Sequence, residues 1–211
     1  MPVDFLSAAQ VAGYGRYGEP PSARQLERFF HFDDLDRQRI SNRRGDHNRL
    51  GFAVQLATVR FLGTFRAQPA DVPPVVARTV ARELAIPDPE CLALYARREQ
   101  THREHAGEIQ RAYGYRDFEG TARAQLTAWL HARAWTTAER PSVLFDLATA
   151  RLIEAKVLLP GASVLARLVA AARDQASDRL HAALAGRAHS RSARGPQGAP
   201  RGRAGRGGVG S

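Results

Sequence analysis

The chain has 211 residues, 44% of them hydrophobic, and 31 basic against 21 acidic side chains give a formal net charge of +10. A single cysteine, Cys91, excludes an intrachain disulfide framework and a multi-cysteine zinc site, and no apolar run reaches the roughly 20 residues of a membrane span. What remains is a basic chain, expected in the cytoplasm, whose expected partner is an anion.

Residues 1–10 have neither the basic start nor the long apolar segment of a secretory signal. The run Gly13-Tyr14-Gly15-Arg16-Tyr17-Gly18 fits G-x-G-x-x-G. A dinucleotide site needs a strand before it and a helix straight after, and Glu19-Pro20-Pro21 follows instead. A loop is expected there, and a Tyr/Arg loop can also touch a nucleic-acid backbone. Ser22-x-x-Gln25 reads as a capping box, followed by Leu26, Phe29 and Phe30 at helical spacing. Asp33, Asp34 and Asp36 open the next helix, Arg43 and Arg44 close it in accord with the helix dipole, and Gly45 stops it. A helix over about 48–62 is apolar around most of its circumference, with Leu50, Ala53, Val54, Ala57 and Phe61 on one face. It is therefore expected to be largely buried.

A Pro-rich loop spans 63–74, and a helix is expected over about 75–85, with a break at Pro87 and Pro89. Residues 90–113 read as one long charged helix. Its face Tyr95, His102, Ala106, Ile109, Tyr113 points to the core, and Glu99 and Arg103 form an i,i+4 pair. His102, Glu104, His105 and Glu108 lack the spacing of known zinc motifs, so structural histidines are expected. Three more helices follow at about 121–135, 142–158 and 163–185. No strand alternation occurs, so the fold class is all-α.

The charge is uneven. Residues 186–211 hold six arginines, no acid and eight of the 18 glycines. Such a segment buries too little apolar surface to offset its chain entropy, so a disordered basic tail is expected. Residues 37–66 hold seven arginines against one acid, Asp46, a local net of +6. The two helices around Gly45-Asp46-His47 resemble a helix-turn-helix unit. Arg43, Arg44, His47, Asn48 and Arg49 gather at that turn, where side chains and a helix amino end meet phosphates together. Because the second helix is so apolar, phosphate contact from the turn is expected rather than base reading from the helix face. The expected organisation is a multi-helix domain with a helix-turn-helix-like subdomain at 1–66, a second helical subdomain at 67–185 and the tail at 186–211.

The run RRGDHNRLGFAVQLATVRFLGTF at 43–65 resembles the amino-terminal region of Tn3-family transposases. YARREQTHREHAGEIQRAYGYRDF at 95–118 is similar to a second signature of that family. The likeness extends through YGRYGEPPSARQLERFFHFDDLDRQRI upstream and VLLPGASVLARLVAAARDQASDRLHAAL downstream, covering essentially 5–185. It implies a helical region that binds double-stranded DNA at the terminal inverted repeats of a transposon. It also implies that catalysis, with its three metal-binding acids and magnesium, resides in a much larger carboxy-terminal part. No catalytic residue and no cofactor are thus expected in these 211 residues. Arg97, Arg98, Gln100, Thr101 and Arg103 form a second expected DNA surface, although His102 stands where relatives often carry arginine. The composition changes abruptly near Ala185, as a reading-frame shift in a truncated transposase gene would produce. The alternative implied role is a regulatory or inactive remnant that associates with full-length transposase.

Overall fold

The computed structural model describes residues 5–137 and 139–192. Ten α-helices occur among them, and the only β-type pairing is an isolated parallel bridge between Arg116 and Val157. The all-α expectation holds.

Local chemistry starts the first three helices. Ser7 and Gln10 form a capping box at α1 (Ala8–Gly13), Ser22 and Gln25 at α2 (Ala23–Phe29), and Asp33 and Asp36 at α3 (Asp34–Ser41). Each box satisfies otherwise orphaned amide donors reciprocally. Helix α1 was not among the expected elements, although Ser7-x-x-Gln10 carries the same signal as Ser22-x-x-Gln25. A turn at 42–45 leads to α4 (Asp46–Leu62), bracketed by Gly45 and Gly63, both with positive φ.

Helix α4 is the axis of the fold. Every residue from Leu50 to Val59 is buried. It packs against α2, α3, α5 (Pro74–Glu83), α6 (Leu92–Ala96), α7 (Glu99–Tyr113) and α9 (Pro141–Glu154). Gly51 makes the contact with α6 close: a Cβ there would overlap the Tyr95 ring.

The single helix expected over 90–113 is instead three pieces. A 3-10 turn at Pro89–Cys91 precedes α6, and the chain leaves helical geometry at Arg98 (φ −107°, ψ 72°) before α7. Tertiary contacts require this break. The Tyr95 hydroxyl lies 2.9 Å from His105 Nδ1 with the rings stacked. Ten residues of continuous helix would hold these positions about 15 Å apart along the axis.

Buried apolar side chains form two clusters. The first unites α2–α7 around Phe30, Leu50, Phe52, Val80, Tyr95 and Ile109. The second unites α8 (Gly120–Thr136), α9 and α10 around Leu126, Leu130, Leu144, Leu152, Leu165 and Val169. The first cluster draws on both sides of residue 66, so its core continues through α5 to Tyr115. Helix α9 ends at Glu154, short of the expected 158. Its chain turns at Lys156 (φ +52°) so that Leu158 N–H reaches the Arg116 carbonyl and Leu159 N–H the Gly63 carbonyl. Helix α10 (Ala162–Ser192) runs past the expected limit at 185. The rest of the Arg/Gly-rich tail, 193–211, lies outside the described residues.

Candidate nucleic-acid interface

Folding neutralises most of the apparent charge of residues 37–66. Arg37 meets Glu83 at 2.6 Å, Arg49 meets Asp46 at 3.0 Å, Arg60 meets Asp36 at 2.8 Å and Arg66 meets Asp71 at 2.6 Å. Arg43 pairs with Glu108 of α7 and lies 4.5 Å from the Phe52 ring centroid, its side chain only 19% exposed. Five of the seven arginines thus have a carboxylate partner, and four of those carboxylates come from outside the stretch. Arg39 and Arg44 have none among the described residues. The Arg39 guanidinium sits over the Tyr113 ring at 5.4 Å, and Arg44 is exposed.

The strongest of these pairs is built into the core. Asp36 is 2% exposed and accepts from both Arg60 guanidinium nitrogens, at 2.8 and 2.9 Å, and from the Tyr113 hydroxyl at 2.7 Å. Burial pushes its carboxyl up, but the hydrogen bonds from Arg60 and Tyr113 outweigh that and hold it below its ordinary value. The same group caps α3 through the Asp33 amide. One carboxylate therefore ties α3, α4 and α7 together.

Among the expected DNA-contacting residues, the α3–α4 corner brings Arg44, His47 and Asn48 together, while Arg43 and Arg49 are held by acids. Asn48 donates to the Arg44 carbonyl at 2.8 Å. Its Oδ1 and the His47 Nε2 are buried without a hydrogen-bond partner among the described residues. The N-cap of α4 is Gly45, which supplies no side-chain cap, and Asp46 is the one acid in the first turn. The helix-turn-helix resemblance is limited to this corner. A recognition helix must lie exposed in a groove, and α4 is surrounded by six other helices.

The second expected surface falls on the α6–α7 break. Arg97 and Arg98 are exposed without a carboxylate partner among the described residues. Arg103 pairs with Glu99, Gln100 donates to Glu104 at 2.9 Å, and Thr101 is half-buried. Helix α7 runs opposite to α4: Glu108 meets Arg43, His105 packs on Phe52, and the His102 carbonyl accepts from Gln55 at 3.0 Å. Eight helical residues, about 12 Å, separate Glu108 at the first corner from Gln100 at the second.

Both His102 and His105 are buried against the core, although only His102 lay on the core face read from the sequence. Gln55 donates to the Tyr95 hydroxyl, and that hydroxyl is hydrogen-bonded to His105 Nδ1 at 2.9 Å. Burial, aided by the Arg43 charge, lowers the His105 pKa to about 4. His105 is therefore neutral at pH 7. Among the described residues no group of three or more His, Cys, Asp or Glu is placed to hold a metal ion.

Sequence reasoning also passed over exposed arginines outside its expected surfaces. Arg24, Arg28, Arg78, Arg82 and Arg111 lack carboxylate partners among the described residues, as does Arg16 of the Tyr/Arg loop. The i,i+4 spacing of Arg24 with Arg28 and of Arg78 with Arg82 was the signal available for four of them.

Comparison with known proteins matches residues 5–172 to a domain of unknown function, DUF4158. The chain is 48% identical over 186 residues to the transposase for transposon gamma-delta of Escherichia coli (strain K12), covering 88% of this chain and 19% of that protein. It is 35% identical over 166 residues to the transposase for transposon Tn21 of Escherichia coli, and 33% identical over 170 residues to that of Tn501 of Pseudomonas aeruginosa. Those matches cover 79% and 78% of this chain but 17% and 16% of the two transposases. The chain thus spans less than a fifth of the length of these relatives. With the family matched over most of its length, the chain belongs to the DUF4158 family, as a segment homologous to part of the Tn3-family transposases.

Proposed function

We propose that this chain is a DNA-binding module of a Tn3-family transposase, holding the terminal inverted repeats of its transposon without a catalytic module of its own. One observation carries the reading: 48% identity to a transposase over 88% of the chain. The exposed, acid-free cations Arg44, Arg97 and Arg98, with His47 and Asn48 at the uncapped start of α4, support it. Phosphate contacts from these corners position the duplex. Arg43 and Arg49 hold the first corner in shape, and Gln100, Thr101 and Arg103 flank the second. Magnesium chemistry belongs, in this reading, to the part of the transposase outside these residues.

The test is an affinity titration at several salt concentrations, comparing the inverted repeat of the element encoding the chain with a scrambled duplex. The expected result is tighter binding to the repeat and a steep salt dependence, with a slope of about −0.9 per phosphate neutralised. Arg44→Gln with Arg97→Gln and Arg98→Gln should weaken binding to both duplexes and flatten the slope. Equal, salt-insensitive binding to both duplexes would defeat the proposal.

A second reading, association with full-length transposase, is favoured by one surface. Trp135, Leu180 and Leu184 are all about half exposed where α10 runs beyond the end of α8. Co-elution of the chain with full-length transposase in size-exclusion, abolished by Leu180→Ser with Leu184→Ser, would support that role. Separate elution would remove it.

A further inference from the structure

The Gly13–Gly18 loop is the one sequence motif that the proposed corners leave without a role, and its geometry is specific. Tyr14 and Tyr17 both turn inward, toward different cores. The Tyr14 hydroxyl donates to the Pro160 carbonyl at 2.9 Å, and its ring packs on Phe145 of the second cluster at 5.1 Å. The Tyr17 hydroxyl bonds Thr58 of α4 at 2.9 Å, and its ring stacks on Phe61, packed against the first cluster, at 5.8 Å. Between them the chain makes a turn, with Arg16 N–H on the Gly13 carbonyl at 3.2 Å. Gly15 takes φ +63° and packs close to Thr64, 3.1 Å from the position of a Cβ. Upstream, Gln10 donates to both carboxylate oxygens of Asp146, at 3.2 and 3.0 Å. The loop is thus fastened on both sides of its turn.

Arg16 is the only charged side chain within it. It is exposed and makes no hydrogen bond or ion pair among the described residues. A Cβ at Gly13 would meet nothing within 4 Å. Glycine on either side leaves the main chain open to close approach by a ligand.

We infer that the Gly13–Gly18 loop is a third phosphate-contacting element, with Arg16 gripping the sugar–phosphate backbone of duplex DNA and Tyr14 and Tyr17 acting as its positioning residues. The inference rests on the DNA-binding reading above. A cation on a loop already held in shape loses less conformational freedom when it contacts a phosphate. A guanidinium offers the fork geometry that phosphate oxygens accept bidentately. The anchoring also explains the glycines without a nucleotide site, since they serve the turn and the open backbone.

The experiment measures binding of the full chain to double-stranded DNA of scrambled sequence by fluorescence anisotropy at several salt concentrations, with thermal melts alongside. Arg16→Gln should weaken binding roughly three- to tenfold near 0.1 M salt, reduce the salt slope by about 0.9, and leave the melting temperature unchanged. Arg16→Lys should restore the slope. Tyr14→Phe with Tyr17→Phe keeps the charge and loosens the loop. It should weaken binding while leaving the slope at its original value. Unchanged affinity and slope in Arg16→Gln, with the parent chain binding duplex normally, overturns this inference alone. Failure of the parent chain to bind any duplex overturns the DNA-binding reading with it.

Discussion

At the scale of single residues, the arginines divide by partner. The buried Asp36–Arg60 pair, closed by the Tyr113 hydroxyl, cannot lose one member cheaply, because the other charge stays in the core. Asp36→Ala is expected to cost about 3–5 kcal/mol in chemical denaturation. Asp36→Ala combined with Arg60→Met should recover part of that loss, since both charges are then gone. A double variant no more stable than the single one would contradict this account. His105 supplies a pH signature. Its pKa falls from an ordinary 6.5 to about 4 in the folded chain. The unfolded chain therefore takes up a proton below pH 6.5 that the folded chain refuses until about pH 4. The stability linked to His105 is complete above pH 6.5 and is lost as pH falls from 6.5 to 4, at no more than about 1.4 kcal/mol per pH unit. His105→Phe, which keeps the aromatic packing, should flatten that portion of the stability–pH curve. A slope unaltered by the change would assign the titration elsewhere. Asp36, held below its ordinary value, acts in a lower window, because its contribution is lost only as pH falls below the usual carboxylate range.

At the scale of elements, the capping boxes and the apolar circumference of α4 were legible because they depend on neighbours three or four residues away. The break at Arg97–Arg98 was not legible. Both flanking segments have good helical periodicity, and what separates them is the meeting of Tyr95 with His105 and Gln55. Gly51 belongs to the same contact. Alanine in a helix interior ordinarily gains about 0.5–1 kcal/mol over glycine. Here the new methyl would overlap Tyr95, and overpacking costs about 1–3 kcal/mol. Gly51→Ala should therefore lower the melting temperature, and a rise would show that Tyr95 moves aside freely. The candidate corners were legible as positions but not as a division of labour. Arg43 and Arg44 are adjacent in sequence, yet Arg43 turns to Glu108 and Arg44 faces solvent.

At the scale of the whole molecule, two cores meet along a seam through Gly63, Arg116 and residues 156–159. Leu159 N–H bonds the Gly63 carbonyl at 2.9 Å, and a Cβ at Gly63 would lie 2.6 Å from Ile153. Gly63 also has φ +72°, which side chains rarely adopt. Gly63→Ala is expected to loosen the seam and split a single calorimetric transition into two. One sharp transition at the original temperature would show that the cores do not depend on it. The proposed contact cations Arg44, Arg97 and Arg98 lie on the first core, at the α3–α4 and α6–α7 corners, among exposed arginines that also occur elsewhere on both cores. The tyrosine-anchored loop also reaches both cores, through Tyr14 and Tyr17.

The sequence by itself determined that the chain is helical, where most helices begin, which helix is central and to which family it belongs. Those properties follow from short-range periodicity, capping and long matching motifs. Only the tertiary structure decided which charges remain available to a partner. A run of seven arginines with one acid looks strongly cationic as a string. In the fold, Glu83 and Glu108 arrive from 46 and 65 residues away to neutralise Arg37 and Arg43. Electrostatic pairing acts through space, and linear charge density records none of the partners that folding brings in.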